Sequence, residues 1–171
     1  PLMLSMLGGI VGDTAVWSAM SGYARAWRFK HPSPWDYALF MDNSLHKDLS
    51  WFWYYWLFTD EAVDGSIASV KTSGARTTVV VRQDGAMPSP VVLQVKFATS
   101  GPAIHAMKNA RMSDANTAIV TWPVDVWFNG SRTYNAVLDF GGRKIESITL
   151  DPGRRFPDRN PSDNEWPRSG K

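Results

Sequence analysis

The sequence predicts an α+β chain, with an N-terminal layer of about four helices followed by an antiparallel β-sandwich of about seven strands. Three observations carry this. Up to about residue 60, apolar residues recur every three or four positions, the period of helices with one buried face. From about residue 65 to 150 the runs become short, β-branched and aromatic, and glycine-containing turns separate them. Asp64-Gly65 marks the change between the two regimes. The expected divisions are residues 1–62 for the helices, 63–152 for the sandwich and 153–171 for an extended polar tail.

The elements follow in order. Leu2 to Val11 is apolar throughout and reads as a buried helix ending near Gly12. Asp13 reads as the N-cap of a second helix, whose stripe is Val16, Trp17, Met20, Tyr23, Ala24 and Trp27. His31-Pro32 stops it. Ser33-Pro34-Trp35-Asp36 restarts a helix that runs to about Leu45, with Ser33 as N-cap, Pro34 at the first helical position and Asp36 completing a capping box. Asp48 caps a fourth helix carrying Trp51, Phe52, Tyr55 and Trp56. The strands are expected at 66–70, 77–82, 91–97, 118–122, 124–128, 133–140 and 144–150. Asn129-Gly130, between two of these, is a hairpin signal. Residues 99–115 suggest a long loop with a helical turn around Ile104 to Met112.

Composition narrows the function. The chain has 171 residues, 44% hydrophobic and 20% charged, enough for a real core. A net charge of +2 gives no concentrated basic face, which argues against a nucleic-acid partner. There is no cysteine, so disulfides, thiolate catalysis and Cys-ligated zinc are excluded. The longest apolar run, Trp51 to Phe58, falls far short of the ~18 residues a membrane span needs. The opening, Pro1 to Leu4, lies inside an apolar run and reads as the edge of an excised piece.

The search for chemistry returns little. The histidines are His31, His46 and His105, with no i, i+4 pair and no H-E-x-x-H. No G-x-S-x-G elbow marks a nucleophile. Asp139-Phe140-Gly141 copies a kinase tripeptide without the loop, lysine and catalytic segment that give it meaning, so it reads as a strand end and turn. Asn129-Gly130-Ser131 fits a glycosylation sequon, but a turn explains it equally well. Nine tryptophans raise the alternative of a sugar-stacking sandwich, although only Trp122, Trp127 and Trp166 lie in or after the strands. No catalytic, cofactor-binding or metal-binding residue is assigned.

Four blocks of the first 60 residues resemble, in order, a stretch of the M1 (gluzincin) zinc aminopeptidases of bacterial type. They are Pro1-Leu2-Met3-Leu4-Ser5-Met6-Leu7 to Gly12-Asp13, then Trp27-Arg28-Phe29-Lys30-His31-Pro32, then Ser33-Pro34-Trp35-Asp36, and finally Asp48-Leu49-Ser50-Trp51-Phe52-Trp53-Tyr54-Tyr55-Trp56. In the second half, Val79 to Gly85 and Pro88 to Val95 are similar to the β-sandwich that follows the family's catalytic domain. Ile148 to Pro152, Phe156-Pro157-Asp158, Asn160, Asn164 and Trp166 resemble its closing stretch.

The resemblance implies the helical end of an M1 catalytic domain plus its β-sandwich. It implies a zinc in the full-length parent, held by the two His of H-E-x-x-H and a Glu, with the motif Glu as general base and a Tyr at the oxyanion, all upstream of Pro1. Tyr23, Tyr37, Tyr54 and Tyr55 do not occupy that Tyr position. The implied partners are the upstream catalytic half of the same polypeptide and, in the parent, a peptide substrate. This chain alone is expected to be structural, not catalytic, and to self-associate through an apolar face. The alternatives are a non-catalytic binding or scaffold module of a peptidase-like protein, and a carbohydrate-binding sandwich. The compartment stays open, with a periplasmic or secreted placement favoured over a cytoplasmic one.

Overall fold

The computed structural model describes residues 1–105 and 107–168, and the chain divides into two units, residues 1–61 and the residues from 62 onward. The first unit holds α1 (Leu2–Val11), α2 (Asp13–Ala26), α3 (Pro34–Leu45) and α4 (Ser50–Phe58). No single helix is long and apolar enough to cross a membrane.

Gly12 separates α1 from α2 at φ +94, a backbone state that only glycine adopts cheaply, and the two helices bend by 119° there. Gly12 is therefore the cap of α2. Asp13, expected as the cap, is the first helical residue, where its carboxylate faces the positive end of the helix dipole. The buried face of α2 is Val16 and Ala19, flanked by half-buried Met20, Tyr23 and Trp27. Trp17 and Ala24, expected on that stripe, point away, and Trp17 is 68% exposed. Adjacent positions differ by about 100° around a helix, so Val16 and Trp17 cannot share the centre of one face.

The capping box of α3 forms as expected. Asp36 N–H donates to Ser33 Oγ at 3.3 Å, and Ser33 N–H donates to Asp36 Oδ2 at 2.8 Å. The Ser33 hydroxyl, donating to Asp36 Oδ2 at 2.7 Å, and then the Ser33 N–H hold the Asp36 carboxyl below its ordinary pKa. At α4, Asp48, one residue earlier than the formal cap, accepts from the Ser50 hydroxyl and from Ser50 N–H (3.0 Å), and these bonds, the hydroxyl's first, depress its pKa. The core of this unit is aromatic and sulfur-rich. Met6, Leu7, Met41 and Phe52 are fully buried. Tyr37 packs edge-on against both Tyr23 (5.0 Å) and Trp53 (5.7 Å), a geometry worth about 0.5–1.5 kcal/mol per pair beyond area burial. Trp53 Nε1–H donates to Asp42 Oδ1 at 2.7 Å, so the indole is buried without leaving its donor unpaired.

In chain order the second unit contains β1 (Gly65–Ser73), β2 (Arg76–Gln83), β3 (Val91–Phe97), β4 (Ala110–Asp114), β5 (Thr117–Trp122), β6 (Thr133–Asp139), β7 (Ile145–Leu150) and β8 (Glu165–Trp166). They form two antiparallel sheets, ordered β1-β2-β6 and β4-β5-β3-β7-β8. Strict alternation drives the arrangement. Val79, Val81, Ala136 and Leu138 line the inner face of the first sheet, and Leu93, Val95, Ala118, Val120 and Ile148 that of the second, each at most 1% exposed.

Four expectations are corrected. Residues 124–128 are not a strand: Val124–Trp127 is a 3-10 turn. Pro123 has no N–H to continue the ladder that ends at Trp122, and Phe128 N–H closes onto Asp125 O instead. Asn129-Gly130 is consequently not a strand-to-strand hairpin; it links that turn to β6, whose partner is β2. The helical turn expected near Ile104 to Met112 is absent among the described residues, Ala106 lying outside them, and 110–114 is the edge strand β4, paired with β5. Residues 153–168, read as an extended tail, carry a 3-10 turn (Pro161–Asp163) and β8, which pairs with β7; residues 169–171 lie outside the described residues.

Candidate functional site

The three histidines do not assemble a site. His31 lies exposed between α2 and α3. His46 ends α3 in the left-handed conformation, with its N–H on Asn43 O. His105, in the second unit, donates its backbone N–H to Phe140 O. Among the described residues, no group of three or more His, Cys, Asp or Glu is arranged to hold a metal ion. Asp139-Phe140-Gly141 is a strand end and turn: Asp139 pairs with Arg76 at 3.1 Å, and Phe140 packs edge-on against Phe97.

The carboxylates of the closing segment serve the backbone. Asp151 accepts from Arg155 N–H at 3.0 Å and Phe156 N–H at 2.9 Å, folding the chain back after β7. Burial nevertheless raises its pKa, because desolvation outweighs those two bonds. Asp158 accepts from Gly65 N–H (3.3 Å), Asn160 N–H (2.8 Å) and Asn164 Nδ2 (2.9 Å), and Arg159 N–H donates to Val63 O. Asn164 O in turn accepts from Leu150 N–H. The result is a clasp that ties the start of β1 to the end of β7. It encloses a cleft of about 320 Å³ between Asp151, Arg154, Phe156, Pro161 and Asn164. Asp163 also sits in the clasp, its pKa raised by burial first and then by the Asp158 and Asp64 charges.

Two positively charged side chains, unmarked in the sequence, hold the loops. Arg143 donates to the carbonyls of Ala98 (2.8 Å), Gly101 (2.9 Å) and Pro102 (2.9 Å), which fastens the excursion after β3. Arg132 donates to Gly85 O at 2.7 Å. At Gly85 itself an added Cβ would stand 2.3 Å from Ala62 O, so only glycine fits. No local pattern announces these arginines, because their acceptors lie more than 40 positions away.

Of the three tryptophans in or after the strands, Trp122 and Trp166 are half-buried and Trp127 is buried. Trp127 is 8% exposed and donates its indole N–H to Ser89 O at 2.8 Å, and its ring meets Tyr134 edge-on. It belongs to the core, not to an open platform. The helical unit, by contrast, keeps much apolar surface in solvent. Leu2, Trp17, Phe29, Trp35, Leu39, Tyr54, Leu57 and Phe58 are all exposed. Phe29 stands in a left-handed turn at φ +62. A groove of about 320 Å³ runs between Met3, Tyr23, Pro32, Tyr37, Trp53 and Leu57.

No protein-family model matches the chain, and no curated protein matches it. Among solved structures it is similar to aminopeptidase A of Legionella pneumophila, determined in complex with aspartic acid, at a TM-score of 0.60 and 12% identity. The likeness covers 92% of this chain and 16% of that one, so the chain spans about a sixth of the length of this structural relative. A chitin-binding domain of a chitinase from Pyrococcus furiosus matches at a TM-score of 0.32 and 22% identity, over 53% of this chain and 93% of that one, too low a score to bear on function. The likeness to the aminopeptidase is one of fold.

Proposed function

We propose that this chain is the C-terminal, non-catalytic part of a larger zinc aminopeptidase of the M1 type. The observation that carries the reading is a fold likeness to an aminopeptidase that covers 92% of this chain, helices and strands together, and 16% of that protein. The four sequence blocks that resemble the M1 enzymes fall on α1, the α2–α3 connection, the start of α3 and α4.

In this reading, zinc, when bound in the parent, supplies an activated water and polarises the peptide carbonyl. Its ligands, the general base and the oxyanion donor come from the preceding part of the polypeptide. The residues of this chain do mechanical work. Phe52, Met41 and Trp53 fix the spacing of α3 and α4, and the exposed apolar residues of α1 and α2, Leu2 and Trp17, are covered by the preceding part. The sandwich, closed by the Asp158 clasp, supports the lobe without contributing a reacting group.

Reading the gene upstream of Pro1 and assaying the chain alone test this together. An in-frame H-E-x-x-H followed by a helical Glu, and no hydrolysis of aminoacyl amides by residues 1–171 with added zinc, are the expected results. Zinc-dependent hydrolysis by the 171-residue chain alone, or an upstream frame without that motif, would overturn it.

A further inference from the structure

We propose that the clasp between β1 and β7 is a low-affinity calcium site, with Asp163 Oδ1 and Asn164 Oδ1 as ligands and Asp158 as the second carboxylate. Asn164 is only 6% exposed, yet its Oδ1 has no hydrogen-bond partner, and neither does the buried Oδ1 of Asp163 beside it. A buried acceptor without a donor is costly, and two on adjacent residues call for a shared positive partner. The other end of the Asn164 amide fixes where its oxygen lies, because Nδ2 donates to Asp158 Oδ2 at 2.9 Å. The O and N of one amide stand about 2.3 Å apart, which keeps Asn164 Oδ1 within about 5 Å of that Asp158 oxygen. Two oxygens sharing a calcium ion, each about 2.3–2.6 Å from it, fit inside that span. Asn160 ties the second carboxylate to the first: its N–H donates to Asp158 Oδ1 and its Nδ2 to Asp163 Oδ2, both at 2.8 Å.

Charge and donor type select the ion. The Asp158 and Asp64 charges each act on Asp163 more strongly than Arg168, the cation near it, so the cluster keeps an excess of negative charge. Its donors are all oxygens, which suit a hard cation and not a soft transition metal. Several are already engaged by backbone and amide donors and cannot rearrange into the regular octahedron that magnesium demands, whereas calcium accepts irregular sets. Three acidic residues do not converge among the described residues, so two carboxylates and an amide are completed by water. A set with so little charge belongs with the weak calcium modules, whose dissociation constants are on the order of 10⁻⁴–10⁻³ M. Asp158-Arg159-Asn160-Pro161-Ser162 spaces its side-chain oxygens two residues apart, as the first three ligands of a calcium loop do, but Asp163 stands where such a loop has glycine. Bound there, the ion reinforces the tie between Gly65, which donates to Asp158, and Leu150, which donates to Asn164 O.

A calcium titration of the chelator-treated 171-residue chain, followed by amide resonances, tests the site. Saturable shifts are expected at residues 158–165 and at Gly65, with a dissociation constant on the order of 10⁻⁴–10⁻³ M and binding of magnesium at least about tenfold weaker. Asp163→Asn keeps the shape and removes a charge, and raises the constant at least about tenfold. Asn164→Asp adds a carboxylate and lowers it. Asp139→Asn, in the exposed pair with Arg76 of the same unit, changes it less than about twofold. A merely structural clasp gives the first two variants altered stability without altering any response to calcium. No saturable shift at residues 158–165, a response that Asp163→Asn leaves unchanged, or a water alone on the two oxygens in calcium-soaked crystals would overturn the proposal.

Discussion

The two units of this chain treat apolar surface in opposite ways. Of the exposed large apolar side chains among the described residues, eight lie in residues 1–61 and two, Phe128 and Val137, in the second unit. The sandwich turns alternate residues inward on both sheets and closes its open edge with the 151–166 segment. The helices bury one side of each element and leave the other side aromatic. A soluble surface rarely keeps so much contiguous apolar area unless something covers it. The sandwich buries its apolar faces within itself, whereas the helices leave apolar faces in solvent, which is what the proposed place in a larger protein requires of them.

The sharpest way to break that comparison is to remove one large side chain from each unit. Leu93→Ala, at a fully buried position of β3, is expected to cost roughly 2–5 kcal/mol, measured by urea denaturation. Trp17→Ala, in the helical unit, is expected to fall within about 0.5 kcal/mol and to improve solubility. Equal losses at the two sites would mean that Trp17 is covered and the contrast false.

A smaller effect tests whether the clasp closes the sandwich. Asp158→Ala leaves Gly65 N–H and the Asn164 amide without their acceptor, and should cost on the order of 1–3 kcal/mol. Hydrogen exchange should then accelerate at Gly65 and Leu150 and leave α3 unchanged. An effect spread evenly over both units would contradict a local clasp.

The smallest effect is a difference in pH dependence. The pKa values of Asp36 and Asp48 are depressed by their Ser33 and Ser50 hydrogen bonds, so the stability they give the helices is present above the ordinary Asp value and is lost as pH falls through their lower folded values. Asp151 and Asp163 are raised by burial, so their contribution runs the other way: it is present below the ordinary value and is lost as pH rises through the higher folded values. Asp114, depressed by its turn bonds, partly offsets that trend in the sandwich. Titration followed by amide resonances should show the α3 and α4 caps fraying in acid while the 151–164 segment tightens. Parallel loosening of both segments would remove the distinction.

Legibility in the sequence followed the range of the forces. Local chemistry was readable: Ser33-Pro34-Trp35-Asp36 folds as the capping box its spacing announces, and Val79 to Val81 alternates as a half-buried strand must. Features set by distant partners were not. Ala110-Arg111-Met112-Ser113-Asp114 has no strand character of its own and is a strand because β5 supplies its ladder. Val124 to Trp127 has the β-branched and aromatic look of a strand, yet Pro123 and the bond from Trp127 to Ser89 O turn it into a 3-10 segment. Phe156, Asp158, Asn160, Asn164 and Trp166 stood out through their resemblance to a family's closing stretch, but their task of tying β1 to β7 emerges only with Gly65 and Leu150 in place. The zinc chemistry inferred for the parent had no residue to be read from here.

In the proposed function these helices complete a catalytic lobe whose reacting groups lie elsewhere. Reconstitution tests it most directly: the 171-residue chain is mixed with the separately produced preceding half of its polypeptide in the presence of zinc, and hydrolysis of aminoacyl amides is followed. The expected result is activity from the mixture, little from the preceding half by itself and none from this chain. A preceding half that is fully active without the chain, or a chain that hydrolyses the amide unaided, would contradict it.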